Sequence, residues 1–91
     1  MASVVYSRQA SADMLDIWLW VAEANDPGVA DAVIDRIERR VAMLKEYPEM
    51  GPARLEIAEG ARAVVCERWL VLYYVVGADV RVVRIVDGSR D

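Results

Sequence analysis

The sequence has no histidine and only one cysteine in 91 residues. Without histidine, Ser-His-Asp and Cys-His nucleophilic pairs, histidine general bases and histidine metal ligands are excluded. Cys66 alone forms no internal disulfide and no cysteine-based zinc site, which suits a reducing compartment. Residues Met1 to Arg8 carry neither a basic start nor a long apolar stretch, so no signal peptide is expected. The longest uncharged run, Trp69 to Ala78, is about half of the ~20 residues that a membrane helix needs. These absences describe a soluble, cytoplasmic protein with no membrane role, no metal and no cofactor.

Positive charge is also in short supply. Eleven Lys and Arg against fifteen Asp and Glu leave a net charge of -4, the wrong sign for a protein that coats nucleic acid. Residues 1–50 hold 5 basic and 9 acidic side chains, and residues 51–91 hold 6 of each. Any anion-facing surface therefore belongs to the second half. What the chain has in excess is apolar side chain, 56% of its residues. A single domain of this length, spanning residues 1–91, cannot hide all of it, and some is left for a partner.

Turn and cap residues divide the chain. Residues 3–6, Ser-Val-Val-Tyr, predict a short strand that ends at a helix cap, Ser7. A first helix follows from Arg8 to Glu23, with Ala10, Met14, Ile17 and Val21 as its inward stripe. Asp13 and Asp16 sit in its N-terminal half, where the helix dipole favours negative charge. Asp26-Pro27 caps and opens a second helix. Its inward stripe is Ala30, Val33, Ile37, Val41 and Leu44, with Asp35 and Arg39 pairing outside. Tyr47-Pro48 stops it, and the short break between the helices makes them an antiparallel hairpin.

Residues 48–60, with two prolines and two glycines, predict a loop. The period then becomes strand-like. Ala61 to Cys66, Trp69 to Val76 and Val80 to Val86 are joined by short connections, as in an antiparallel meander. The unbroken apolar run of the middle strand predicts burial on both faces. Simple alternation on the last strand puts Arg84 on one face with Val80, Val82 and Val86. The fold class is α+β in the order β-α-α-β-β-β, a short strand and helical hairpin packed on a small, mainly antiparallel sheet.

Specific residues stand at fixed places in this order. Ser7, Ala10, Asp13, Met14 and Ile17 are followed by Leu44, Pro48 and Gly51, then Gly60-x-Arg62, then Arg84-Ile85-Val86-Asp87-Gly88-Ser89-Arg90-Asp91. This ordered set resembles the ParE-like toxins of the RelE/ParE superfamily along nearly the whole chain. The resemblance implies the toxin half of a type II toxin-antitoxin pair, held in a hetero-oligomer by a cognate ribbon-helix-helix, ParD-like antitoxin. It also implies DNA gyrase as the target and no direct nucleic-acid partner.

RelE-like members of the superfamily instead cleave messenger RNA on the ribosome, commonly with a Tyr or His near the C-terminus. This chain has no His and no tyrosine after Tyr74, and arginine is too strong a base partner of protons to serve as a general base. The loop from Glu49 to Glu59 offers Arg54 beside Glu56 and Glu59, a poor seat for an RNA backbone. No catalytic residues are assigned. The alternatives are a RelE-type endoribonuclease and a non-toxic relative that only binds its partner; relatives often carry His where Asp87 stands.

Leu15 and Leu19 point away from the inward stripe of the first helix, and Trp18 and Trp20 flank it. These four are the candidate antitoxin contacts. Arg62, Arg84 and Arg90 are the candidates for target binding or toxicity. Their structural alternative is pairing with Asp87, Glu67 or Asp91, and Arg84 among valines calls for a carboxylate or carbonyl. Cys66, Trp69 and Tyr73 are expected to be packed side chains.

Overall fold

A computed structural model describes residues 2–89. The chain forms β1 (Val4–Tyr6), α1 (Arg8–Ala24), α2 (Pro27–Ala42), a 3-10 turn at Met43–Lys45, β2 (Arg62–Cys66), β3 (Trp69–Val76) and β4 (Asp79–Asp87). Both helix starts follow from their caps. Ser7 Oγ and Asp26 Oδ1 each accept a hydrogen bond at 2.9 Å, from the N–H groups of Ala10 and Val29. The caps satisfy donors that a helix start leaves unpaired. The helices pack on each other as a hairpin and cover one face of the sheet.

The sheet has the order β1-β4-β3-β2. The meander of β2, β3 and β4 is antiparallel, and β1 lies parallel to β4 at the edge, with Tyr6 opposite Val82. Gly77, at φ 62°, supplies the left-handed residue of the tight turn from β3 to β4. In the turn from β2 to β3 the same role falls to Glu67, at φ 57°, a conformation that disfavours a residue with a Cβ.

Three sequence expectations need correction. The middle strand is not buried on both faces: Trp69, Val71 and Tyr73 are buried under the helices, while Leu70, Leu72 and Tyr74 on the other face are half-buried. An unbroken apolar run here accompanies a single helix-covered face, so the run alone does not report burial on both sides. The last strand does not alternate throughout. Leu72 pairs with Arg84 and Tyr73 with Val82, so Val83 is bulged out. The bulge shifts the alternation by one residue, and Val80, Val82 and Ile85 face inward. The third concerns α1, whose inward stripe carries Asp13 in place of the half-buried Met14.

Asp13 is buried because β4 requires it. Ser7 donates from its N–H to the Val82 carbonyl at 2.9 Å and from Oγ to the Val83 carbonyl at 3.0 Å. There β1 gives way to α1, and the rest of β4 loses its strand neighbour. The Asp13 carboxylate fills the gap. Its Oδ2 accepts from Ile85 N–H at 2.9 Å and Arg84 Nε at 2.8 Å, and its Oδ1 from Gln9 Nε2 at 3.1 Å and Arg84 Nη2 at 3.3 Å. Burial pushes the Asp13 carboxyl up, but the hydrogen bonds from Arg84, Ile85 and Gln9 outweigh it and hold it below the usual range.

The loop before β2 is fastened at the opposite end. Tyr73 is fully buried; its hydroxyl donates to the Pro48 carbonyl at 2.7 Å and accepts from Gly51 N–H at 3.0 Å. A Cβ on Gly51 would lie 2.5 Å from the Ala63 carbonyl oxygen and 2.7 Å from the Tyr73 hydroxyl. Only glycine lets the loop come this close.

Urea unfolding of Tyr73→Phe is expected to show a loss of about 1 to 3 kcal/mol, the cost of stranding buried polar partners. Gly51→Ala should lose more, because the loop must leave its seat. Asp13→Ala is expected to cost about 2 to 4 kcal/mol, below the loss for a fully buried pair because half-exposed Arg84 rehydrates. The folded Asp13 titrates below its unfolded value of ~3.9. Its contribution is therefore complete above that pH and disappears as pH falls through the folded value. Stability measured against pH should show a flatter acid limb in Asp13→Asn than in the parent.

Candidate functional site

The outer surface of α1 is apolar where a solvated helix would be charged. Leu15 is 59% exposed, Leu19 51% and Trp20 49%. Leu15 and Leu19, four residues apart, lie along one side of the helix, and Trp20, turned about 140° from Leu15, stands to the flank of them. Trp18 differs from them. It is half-buried against the core, and its Nε1 donates to Asp31 Oδ1 of α2 at 2.8 Å. Leu15 and Leu19 thus form an open apolar face with half-exposed Trp20 at its flank, while Trp18 ties α1 to α2.

Of the three candidate arginines, the two among the described residues are each engaged within the fold. Arg62, at the start of β2, donates to the carbonyls of Gly51 at 2.8 Å and Glu49 at 3.3 Å, and so braces the loop. Arg84 is the partner of Asp13. Arg90 lies outside the described residues, as does Asp91. The acids expected to pair with these arginines have other partners: Glu67 pairs with Arg36, and Asp87 with Arg68 at 2.5 Å. The carboxylate that Arg84 requires comes from Asp13, a residue that the sequence assigns to the helix dipole.

Arg68 was missed from sequence, because a charged residue in a tight turn usually marks only a solvated loop. Its guanidinium carbon lies 4.8 Å from the ring centroid of Trp20 and 5.4 Å from that of Trp69. These distances fall within the range of cation–π attraction. Arg68 and Asp87 border a cleft of about 210 Å³, which Asp13, Asp16, Trp20 and Trp69 also line. Hydrogen bonds from Arg68 and then from Ser89 hold the Asp87 carboxyl well below the usual carboxylate range. A second unforeseen feature is the apolar groove of Met43, Tyr47, Pro48 and Met50 after α2, bordered by Glu46 and Glu49.

Two titratable side chains packed into the molecule, Cys66 and Tyr6, are shifted away from reactivity. Burial, with Glu67 beside it, pushes the Cys66 thiol up. Burial and then the Glu38 charge push the Tyr6 hydroxyl up to about 12. Both shifts oppose formation of the nucleophilic or basic form near neutral pH. Among the described residues no three His, Cys, Asp or Glu side chains converge as metal ligands, and no helix is long and apolar enough to cross a membrane.

Comparison with known proteins agrees with this architecture. A solved structure titled "Chromosomal ParDE TA system from P. aeruginosa" superposes with a TM-score of 0.84 over 96% of each chain at 24% identity, and so shares the fold. Toxin ParE3 of Caulobacter vibrioides is 35% identical over 91 residues, all of this chain and 91% of its own. The model of the ParE toxin of the type II toxin-antitoxin system, parDE, matches residues 4–91. With nearly every residue inside that match, the chain belongs to the ParE toxin family of type II toxin-antitoxin systems.

Proposed function

We propose that this toxin acts by binding a protein, with DNA gyrase as its target, and that a ParD-like antitoxin neutralises it by covering α1. The observation that carries this reading is the exposed apolar face of Leu15 and Leu19, with half-exposed Trp20 at its flank, in a chain without histidine. An amphipathic segment lays its apolar side on such a face, with anchors spaced as on a helix. The relative from P. aeruginosa bears a title that names a ParDE system, which supports an antitoxin as the occupant. Trp18, tied to Asp31, contributes by fixing the hairpin and the edge of that face.

Action by binding needs no bond-making group, only a preference for one state of the target. The side chains proposed to face gyrase are Arg84, which stays 47% exposed while it holds Asp13, and Arg90. Arg62 supports them by keeping the loop in place. Such a protein works in the cytoplasm, where gyrase and its DNA are found, and forms a hetero-oligomer with its antitoxin.

Two outcomes are expected. Replacing Leu15 and Leu19 together by Glu should weaken capture of the toxin by its antitoxin by at least about a hundredfold, as two central apolar anchors do, measured by titration calorimetry. Growth arrest by the variant expressed alone should persist. Purified toxin added to gyrase, ATP and relaxed plasmid should slow supercoiling or trap cleaved DNA, and should leave messenger RNA on translating ribosomes intact. Cleavage of that RNA, lost on replacing Arg62 or Arg90, would overturn the binding reading.

A further inference from the structure

Arg68 occupies the turn between β2 and β3, where its Nη2, its carbonyl and the plane of its guanidinium are all engaged. Its ring contacts are with Trp20 and Trp69, whose indoles meet edge to face at 6.0 Å and 86°. Its Nη2 donates to Asp87 Oδ2 at 2.5 Å and to Ser89 Oγ at 3.5 Å, and its carbonyl accepts from Gly88 N–H at 2.7 Å. Asp87 Oδ1 accepts in turn from the N–H of Ser89 at 2.9 Å and from its hydroxyl at 2.5 Å. A Cβ on Gly88 would stand 3.2 Å from the Arg68 carbonyl oxygen, so glycine permits the close approach.

We propose that Arg68 is a positioning residue for toxin action, holding Asp87–Ser89 beside Trp20 so that α1 and the end of β4 present one ordered contact surface. The inference rests on the binding reading above and adds a residue that acts through others. The end of β4 and the two residues after it are joined to Arg68 by two hydrogen bonds and closed on themselves by two more, and the Arg68 cation lies between two indoles. Stability is a weak reason for the arrangement. The Arg68 side chain is 44% exposed, and water-screened pairs of this kind add little to folding. Preorganisation is the stronger reason, since side chains ordered beforehand lose less entropy on association. Trp and Arg are also the residue types that dominate interface energy, and here Trp20 remains half exposed beside the clamp.

The test compares Arg68→Ala, Arg68→Lys and, as a control on an exposed pair of α2, Arg39→Ala. Each is expressed without antitoxin to measure growth arrest, and each is purified for melting temperature and for hydrogen exchange at the Gly88 amide. Arg68→Ala is expected to lose about tenfold in arrest potency, the scale of an interface residue that orders its neighbours. Its Gly88 amide should exchange at least about tenfold faster, with the melting temperature within about 3 °C of the parent. Arg68→Lys keeps the charge and one bond to Asp87, and should recover part of both losses; Arg39→Ala should match the parent. Full potency in Arg68→Ala overturns the proposal, as does a potency loss that leaves Gly88 exchange unchanged. A parent chain that leaves growth untouched fails at the earlier reading, a result distinct from either, and withdraws the proposal with it.

Discussion

The Asp13 carboxylate sets the rotation of α1, and the rotation of α1 decides which of its side chains meet solvent. The acceptor must reach the Ile85 N–H, which β1 leaves unpaired when it becomes helix. Once Asp13 points inward, Ala10, Ile17 and Val21 lie within about 80° of the same direction and enter the core. Leu15, two residues on, is carried about 200° around the axis and faces away. The face proposed for the antitoxin is thus the reverse side of a sheet-edge requirement. A neutral, apolar residue at 13 would bury more easily, but it would leave the Ile85 donor and the Arg84 cation without a partner.

The elements that sequence revealed are those whose causes lie within a few residues. Ser7 and Asp26-Pro27 open their helices by bonds spanning three positions, and Gly77 turns the chain at its own φ. The misread features depend on contacts across most of the chain. Asp13 meets Arg84 at a separation of 71 residues, and Ser3 hydrogen-bonds Asp79 at 76. Likewise, the bulge at Val83 exists where β4 passes from pairing with β1 to pairing with Asp13, which no local period encodes. At the candidate site, the exposure of Leu15 and Leu19 was legible because an apolar residue opposite the inward stripe is a local observation. The partners of Arg62 and Arg84 were not, because a guanidinium is satisfied by whichever carboxylate or carbonyl the fold brings near.

The disposition of charge bears on what the toxin can bind. Arg36, Arg39, Arg54, Arg68 and Arg84 pair with carboxylates of the chain itself. Arg40 and Arg62 donate to carbonyls of Val65, Glu49 and Gly51. Capture of a nucleic-acid backbone gains from releasing counterions to unpaired cations. Cations already matched to carboxylates provide little of that gain, and the net charge of -4 opposes it further. A protein surface asks for something different: fixed aromatic and apolar side chains with polar groups held in place around them.

Trp20 brings the two proposed surfaces together. It stands at the flank of the Leu15 and Leu19 face of α1 and forms one wall of the Arg68 clamp. From Leu15 to Trp20 the helix advances about 7.5 Å, less than a partner segment of two turns covers. Trp20 is also turned about 100° from Leu19, so on the binding reading a partner that covers Leu15 and Leu19 meets the indole that Arg68 holds beside Asp87–Ser89 where it wraps from the outer face of α1 toward the sheet. Neutralisation would then require no rearrangement of the toxin, because the antitoxin would occupy ground that the target also needs. The affinity of the antitoxin for α1 would convert directly into exclusion of the target, without a conformational change to diminish it.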